Sequence, residues 1–382
     1  MPNLLLVLMV LPLFLVSTYA LFTLTLWVFW LKIPRPFPLS NPPTTLITVI
    51  IAVRNEANHI GALLKDLGQQ SYDQALFEVI VANDGSTDNT AYVLDAFKKN
   101  TSISLTIIEL DQNIKSAAPK KRAIQAALEK SKGIIIVTTD GDCRVGPDWL
   151  RSIAEAYESS GAKLISGPVT FTAETSLTDH LQTVEFSSLI GSGAASIVAG
   201  SPSMCNGANL AYEKKAFEKV GGFAGNDHIA SGDDEFLMHK IAERYPGRVL
   251  FLKDKRAIVR TAPHRRWQDF FQQRKRWASK WKHYQNPVSM ALAIYIFCCN
   301  ATLIAALISG IIGWLSWPHV LVVFMIKWIP EWLFIGSVLL FSNKSRSIIY
   351  ILLVQIFYPF YVTLFGVVAQ RPSYTWKDRE LT

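Results

Sequence analysis

Apolar residues are segregated along this chain rather than dispersed. Met1 to Leu31 carries almost no charge, and neither do three blocks after Pro287: Val288–Trp314, His319–Phe341 and Ile348–Ala369. Each is long enough to cross a bilayer, which takes about 20 apolar residues. Positions 41–285 between them read as a charged globular domain. There, short continuous apolar runs alternate with helical patterns: "LITVIIAV" before "NEANHIGALLKDLGQQ", "LFEVIVAN" before "STDNTAYVLDAFKKN", "ISLTIIEL" before "KKRAIQAALEK", and "GIIIVTTD" before "PDWLRSIAEAYESS". Continuous apolar strands separated by helices predict a parallel sheet covered on both faces, with ligands bound beyond the carboxyl ends of the strands. Polar clusters stand at those ends: Arg54-Asn55-Glu56, Asn83-Asp84-Gly85-Ser86 and Asp140-Gly141-Asp142. Ser86 or Thr87 is the expected N-cap of the second helix.

The first block lacks the basic start of a cleaved leader, and its apolar run continues past Ala20, so it is expected to anchor the chain. Lys32 and Arg35 follow it, which by the positive-inside rule puts the globular domain in the cytoplasm. The basic turn Asn343-Lys344-Ser345-Arg346 should share that side. Three full crossings after the domain would leave the tail 370–382, with Arg371, Lys377 and Arg379, outside. Pro359 in "FYPFY" offers another course, a break that returns the last block to the inner face. Lys327 and Glu331, four apart inside an apolar block, are either a buried ion pair or part of a path for acceptor or product.

The net charge of +8 is better assigned to anionic lipid headgroups than to nucleic acid, because the densest basic run, "HRRWQDFFQQRKRWASKWKHY", directly precedes a span. Four cysteines form neither a zinc pattern nor a disulfide framework. There is no GxGxxG and no GxxxxGK[ST]. "DGSTDNTAYVLD" has Asn89 and Asp95 where a calcium loop needs Gly and Glu. Two carboxylates on a tight glycine turn after a strand suit Mg²⁺ or Mn²⁺, which takes few protein oxygens and completes its shell with water and phosphate. An Asx turn explains the same residues structurally. Asp233, Asp234 and Glu235 open a helical pattern, where acidic residues are also favoured electrostatically. Gln273, Arg276 and Trp277 share one helical face, and Trp281 and Tyr284 extend the aromatic stripe, as a sugar platform or an interfacial belt.

In order along the chain stand "VRNEANHI", "VANDGSTDNT", "DGD", "CNGANLAYEKKAF" with "VGGF", "GDDEFL" and "QRKRW". Over roughly Thr48 to Trp277 this series resembles the membrane-bound family-2 glycosyltransferases, which include cellulose, chitin, hyaluronan and poly-N-acetylglucosamine synthases and ceramide glucosyltransferase. The tail "YTWKDREL" is similar to a Trp-Lys-Gly-Arg ending of some members, with Asp378 in place of Gly. The resemblance implies an α/β, GT-A-type nucleotide-sugar domain with a Rossmann-like mixed sheet and flanking transmembrane helices: an anchor over 1–31, a cytoplasmic domain over 41–285 ending in an interfacial helix, membrane segments over 288–369, and a tail. Glu56 and Asp84 are expected to line the uracil and ribose pocket. Asp140 is placed on the ribose and diphosphate side, and Asp142 on the metal, Mg²⁺ or Mn²⁺. Lys120 is expected at the diphosphate, although Pro119 replaces a family glycine and leaves Lys121 as a rival. Asp234 matches the catalytic base, Gln273 and Arg276 the diphosphate clamp, and Trp277 with Asp233 the acceptor site. The implied activity is inverting transfer from a UDP-sugar to a polysaccharide, or alternatively to a membrane lipid, at the cytoplasmic face of the cell membrane. A non-catalytic scaffold and a transporter are the readings from other classes, and the joint presence of Asp142, Asp234 and Arg276 weighs against the first.

Overall fold

The computed structural model describes residues 2–34, 39, 41–111, 113–114, 116–279, 287–368, 374–376 and 379–381. Arg35, Trp281, Tyr284, Lys377 and Asp378 lie outside the described residues, and with them the aromatic extension and the centre of the tail motif. The chain divides into two compact units. One comprises residues 33–173, 196–263 and 375–382; the other, residues 1–32, 174–195 and 264–374. The stretches 174–195 and 264–279, expected within the globular domain, therefore cluster with the long apolar helices.

In the globular unit the elements follow as β1 (Ile47–Val53), α2 (Ile60–Gly68), β2 (Phe77–Asn83), α3 (Thr90–Lys99), β3 (Ser104–Glu109), α4 (Pro119–Lys130), β4 (Ile135–Asp140), α5 (Trp149–Ser160), β5 (Leu164–Ser166) and β6 (Val169–Phe171), the preceding helix α1 (Pro2–Lys32) belonging to the other unit. After α6 (Leu177–Val198) come β7 (Leu210–Glu213), α7 (Lys214–Lys219), α8 (Glu235–Arg244), β8 (Val249–Phe251) and β9 (Val259–Thr261). The seven-stranded sheet has the order β3-β2-β1-β4-β7-β5-β8. Its first four strands are mutually parallel. β1 and β2 are buried almost throughout, as strands covered on both faces must be.

The sheet becomes mixed, as expected, at β7, which is antiparallel to both β4 and β5. The reason is where β7 starts. A 3-10 turn, Gly207–Asn209, sits at the carboxyl end of β4, where the Thr138 hydroxyl donates to the Gly207 carbonyl at 3.0 Å. A strand entering from that edge runs back along its neighbour. The reversal brings "CNGAN" to the same edge as the three polar clusters. The N-cap of α3 is Asn89 rather than Ser86 or Thr87, and Asp88 accepts from the Thr90 amide at 3.0 Å.

The other unit gathers α1, most of α6, α9 (Trp267–Ser279), α10 (Pro287–Ile311), α11 (Trp317–Phe341) and α12 (Ile351–Val368). Among the described residues, four segments are long and apolar enough to span a membrane: Val10–Lys32, Met290–Ile311, Trp317–Phe341 and Ser345–Gly366. Pro359 does not break the last one, because α12 runs unbroken through it. A Cβ on Gly191 would lie 2.6 Å from Val338 and 3.0 Å from Phe334, so α6 packs against α11 as closely as backbone allows. Lys327 and Glu331 form a buried ion pair at 2.7 Å. Glu331 also accepts from the Tyr19 hydroxyl at 2.6 Å and from Gln355 at 3.3 Å. The Lys327 ammonium lies 5.3 and 5.4 Å from the ring centres of Tyr19 and Tyr358. Each charge has polar partners, which a charge in this setting requires. The pair thus ties α1, α11 and α12 together, and the structural alternative for these two residues holds.

Candidate active site

The carboxyl ends of β1 and β2 are laced into one wall. Asn55 adopts φ of 53°, a left-handed conformation that asparagine tolerates better than most residues. Its side-chain oxygen accepts from the Thr87 amide at 2.8 Å, while its own amide donates to the Ser86 hydroxyl at 3.0 Å. Arg54 donates to the carbonyls of Asp84 and Gly85 at 2.7 and 2.6 Å, and the Glu56 amide donates to the Thr90 hydroxyl at 2.8 Å. Glu56 and Asp84, expected in the base and ribose pocket, are both buried in this wall.

Beyond β4 the turn Asp140-Gly141-Asp142 packs directly on Glu56. A Cβ on Gly141 would sit 2.9 Å from Val53 Cγ1 and 3.1 Å from Glu56 Cγ. Only glycine fits there without displacement, so the spacer between the two carboxylates is set by packing. Lys120, at the start of α4, places Nζ 2.8 Å from Asp140 Oδ1 and 3.3 Å from Asp233 Oδ2. Lys121 points elsewhere: its Nζ donates to the carbonyls of Asn226 and Ile229 at 2.6 and 2.9 Å and braces that loop. Of the two lysines, the one at the acidic cluster is therefore Lys120. Burial disfavours its charge, but Asp140, Asp233 and Asp234 outweigh that and hold its pKa well above the usual lysine value.

Asp234 is the N-cap of α8. Its Oδ1 accepts from the Glu235 amide at 2.7 Å and its Oδ2 from the Gly207 amide at 2.9 Å. Helix capping and a fixed carboxylate coincide in this residue. A Cβ on Gly207 would come 3.3 Å from Asp233 Oδ2 and 3.4 Å from Lys120 Nζ, so glycine lets the backbone reach the acids. Asp142 Oδ2 accepts from the Thr261 hydroxyl at 3.2 Å. Thr261 ends β9, and the bridge between Arg144 and Arg260 holds that strand beside the turn.

A divalent cation fits this donor set. Asp140 and Asp142 are hard oxygen donors on a turn that packing fixes, and Asp140 keeps 41% of its side chain exposed despite the lysine. Among the described residues no group of three or more His, Cys, Asp or Glu is arranged to hold a metal ion by itself; an ion on Asp140 and Asp142 would take its other ligands from phosphate and water.

Gln273, Arg276 and Trp277 belong to the other unit, on α9. Trp277 is stacked on Phe186 with ring centres 6.2 Å apart, and the Arg274 guanidinium lies 4.4 Å from its ring centre. Sequence reasoning passed over Gly207, Thr261 and the Arg274–Glu185 pair. Gly207 lay inside a quoted motif, but its use depends on the reversal of β7. Thr261 carries no local signal at all.

Among proteins of known type, a family model described as glycosyl transferase family 21 matches residues 10–381. Glycosyltransferase AglE of Haloferax volcanii is 28% identical over 188 residues, which are 49% of this chain and 58% of that protein. A poly-beta-1,6-N-acetyl-D-glucosamine synthase of Staphylococcus epidermidis is 25% identical over 179 residues, 46% of this chain and 41% of the synthase. The chain thus spans about half the length of these relatives. Among solved structures, the mannosyltransferase PcManGT of Pyrobaculum calidifontis, in complex with GDP-Man and Mn²⁺, superposes with a TM-score of 0.57 at 19% identity, over 93% of this chain and 98% of that one. That likeness concerns the fold, and it bears out the expected mixed-sheet, GT-A-type architecture.

Proposed function

Because the chain belongs to glycosyl transferase family 21, we propose that it transfers a sugar, with inversion, from a UDP-sugar to an acceptor at a membrane. The observation that carries this is the cluster at the carboxyl edge of the sheet, where Lys120 joins Asp140 to Asp233 beside the backbone-fixed Asp234. Glu56 and Asp84 are assigned to the base and ribose. By the resemblance of their motifs, Lys120, Gln273 and Arg276 are assigned to the diphosphate, and Trp277 and Asp233 to the acceptor. The two amides on Asp234 fix its orientation. Asp234 takes the proton of the acceptor hydroxyl as that oxygen bonds to the anomeric carbon. The bond from that carbon to the phosphate oxygen breaks, and its electron pair leaves with UDP. Attack in line with departure inverts an α-linked donor to a β-linkage. General-base catalysis of this kind contributes about 10²–10⁴-fold. Held by Asp142 and Asp140, Mg²⁺ or Mn²⁺ would supply the charge that neutralises the leaving diphosphate.

The acceptor assigned first is a growing polysaccharide, in keeping with the similarity to a poly-N-acetylglucosamine synthase. A second assignment, single addition to a membrane lipid, is favoured by a cavity of about 260 Å³ between α10, α11 and α12. Leu303, Leu307, Val320, Phe324 and Phe360 give it the apolar lining a lipid tail needs. Lys32, the basic residue in the last turn of α1, supports a cytoplasmic globular unit by charge bias. The test incubates membranes containing the full chain with labelled UDP- and GDP-sugars, then separates polymer from lipid-extractable product. Transfer from one UDP-sugar, stopped by EDTA and restored by Mn²⁺ or Mg²⁺, is the expected outcome. Chelator-insensitive transfer removes the metal from Asp142, and transfer from GDP-sugars alone removes the uracil assignment.

A further inference from the structure

The helix that carries Gln273, Arg276 and Trp277 is clamped by a residue that no motif singled out. Arg274 is only 4% exposed and is held on every side within the membrane unit. Its Nε donates to Glu185 Oε1 at 2.9 Å and its Nη2 to Glu185 Oε2, a two-pronged pair with α6. Its guanidinium lies 4.6 Å from the ring centre of Phe270 and 4.4 Å from that of Trp277. The Tyr361 hydroxyl of α12 donates to Glu185 Oε1 at 3.2 Å, and Arg274 Nη1 donates to the Gln273 side-chain oxygen.

We propose that Glu185, Arg274 and Tyr361 form a positioning network that sets the rotation of α9 and the orientation of its donor-binding side chains. Successive helical residues turn by about 100°, so with Arg274 pinned inward Arg276 lies about 200° further round and is directed away from the α6 and α12 contact. Gln273 has its amide oxygen engaged by Arg274, which turns its NH₂, the half that can donate to a phosphate oxygen, toward other partners. Trp277 is steadied against the guanidinium plane. A lysine cannot substitute: it has no planar fork for two carboxylate oxygens and no flat face to stack on rings. Buried ion pairs are sound only when their remaining hydrogen-bonding capacity is met, and Tyr361 meets part of it for Glu185. This inference rests on the proposed roles of Gln273 and Arg276 at the donor diphosphate.

The test measures binding of UDP, and separately of GDP, in the presence of Mn²⁺ to the full chain in detergent by titration calorimetry, with a thermal melt of each variant. Loss of a hydrogen bond to a charged partner sets the scale. Arg274→Lys and Glu185→Gln should weaken UDP binding about tenfold, and Tyr361→Phe about threefold. Adding Gln273→Ala to Arg274→Lys should cost less than the product of the single effects, because both act through one side chain. Tyr361→Phe removes a single oxygen and keeps the question open to measurement even if Arg274→Lys does not fold. Wild-type affinity in both Tyr361→Phe and Arg274→Lys overturns the network, and so does a fully multiplicative loss accompanied by a lowered melting temperature. A folded wild type that binds neither nucleotide is a different result: it sinks the donor-binding proposal, and this inference falls with it.

Discussion

Gly141→Ala tests whether the spacing of the two turn carboxylates matters to the chemistry. The glycine is outside the left-handed region, so alanine meets no backbone penalty and the whole effect is packing. The new methyl would stand 2.9 Å from Val53 Cγ1 and 3.1 Å from Glu56 Cγ, both in buried residues. Carbon atoms settle at about 3.5–4.0 Å, so something must yield by roughly 0.5–1 Å. Val53 ends β1, an interior strand of the sheet, and pairs with Asn83, whereas the turn faces the site, so the turn is what moves. Overpacking on this scale costs about 1–3 kcal/mol in stability. A misplacement near 1 Å costs about 10²-fold in turnover. The expected variant therefore folds, melts somewhat earlier, and loses most of its sugar transfer. Gly68→Ala is the matched control, since a Cβ there meets nothing within 4 Å. Val53→Ala opens the space that the methyl needs, so the double variant should recover part of the lost activity. Transfer by Gly141→Ala within about threefold of wild type, against the 10² expected, would refute the claim that Asp140 and Asp142 act from a packed and fixed turn.

Three further outcomes are expected. Asp234→Asn should lower transfer by about 10²–10⁴-fold while UDP binding persists, and near-normal turnover would remove Asp234 from the role of base. Removing one member of the buried pair, as Lys327→Leu or Glu331→Leu, should cost about 3–5 kcal/mol, whereas the double replacement should be close to neutral. Thermal melts of the purified full chain decide this, and a double variant as damaged as the singles would contradict the account. Cys143 is buried, and burial together with Asp142 and Asp140 pushes its thiol pKa up, so the thiolate is scarce at pH 8. Iodoacetamide followed by peptide mapping should spare Cys143 in the native protein and mark the half-buried Cys205 ahead of it, whereas equal rates would speak against the burial of Cys143.

What the sequence disclosed was whatever the chain specifies locally. Strands β1 to β4 announce themselves by short runs rich in apolar and β-branched residues, and each of β1, β2 and β4 hands on to a polar cluster at its carboxyl end, so three of the loops around the site are legible in the chain alone. The direction of β7 is not. "LAYE" is four residues long and would read the same in either orientation, and what reverses it is the 3-10 turn at Gly207, anchored to Thr138 of a strand 69 residues earlier. The choice between Lys120 and Lys121 was hidden for a related reason. Both sit at the start of one helix, and the rotation that sends Lys120 to the acids and Lys121 to the Asn226–Ile229 carbonyls is decided by packing far along the chain.

The same distinction explains why the Arg274 network was missed while its neighbours were found. Gln273, Arg276 and Trp277 stand out as polar and aromatic residues at helical spacing, and a motif describes them. Arg274 looked like one more charge in a basic run. Its partner Glu185 lies 89 positions away on α6, and Tyr361 lies a further 176 positions beyond Glu185 on α12. Nothing in spacing or periodicity links three such residues, and only burial makes the arginine conspicuous. A run of basic residues before a span is a solvated or lipid-facing surface by default, and one member withdrawn from it to an ion pair requires a purpose strong enough to offset desolvation. Fixing the face that α9 presents is such a purpose, because a helix whose rotation drifts by one residue would turn Arg276 through about 100° and exchange its inner and outer side chains.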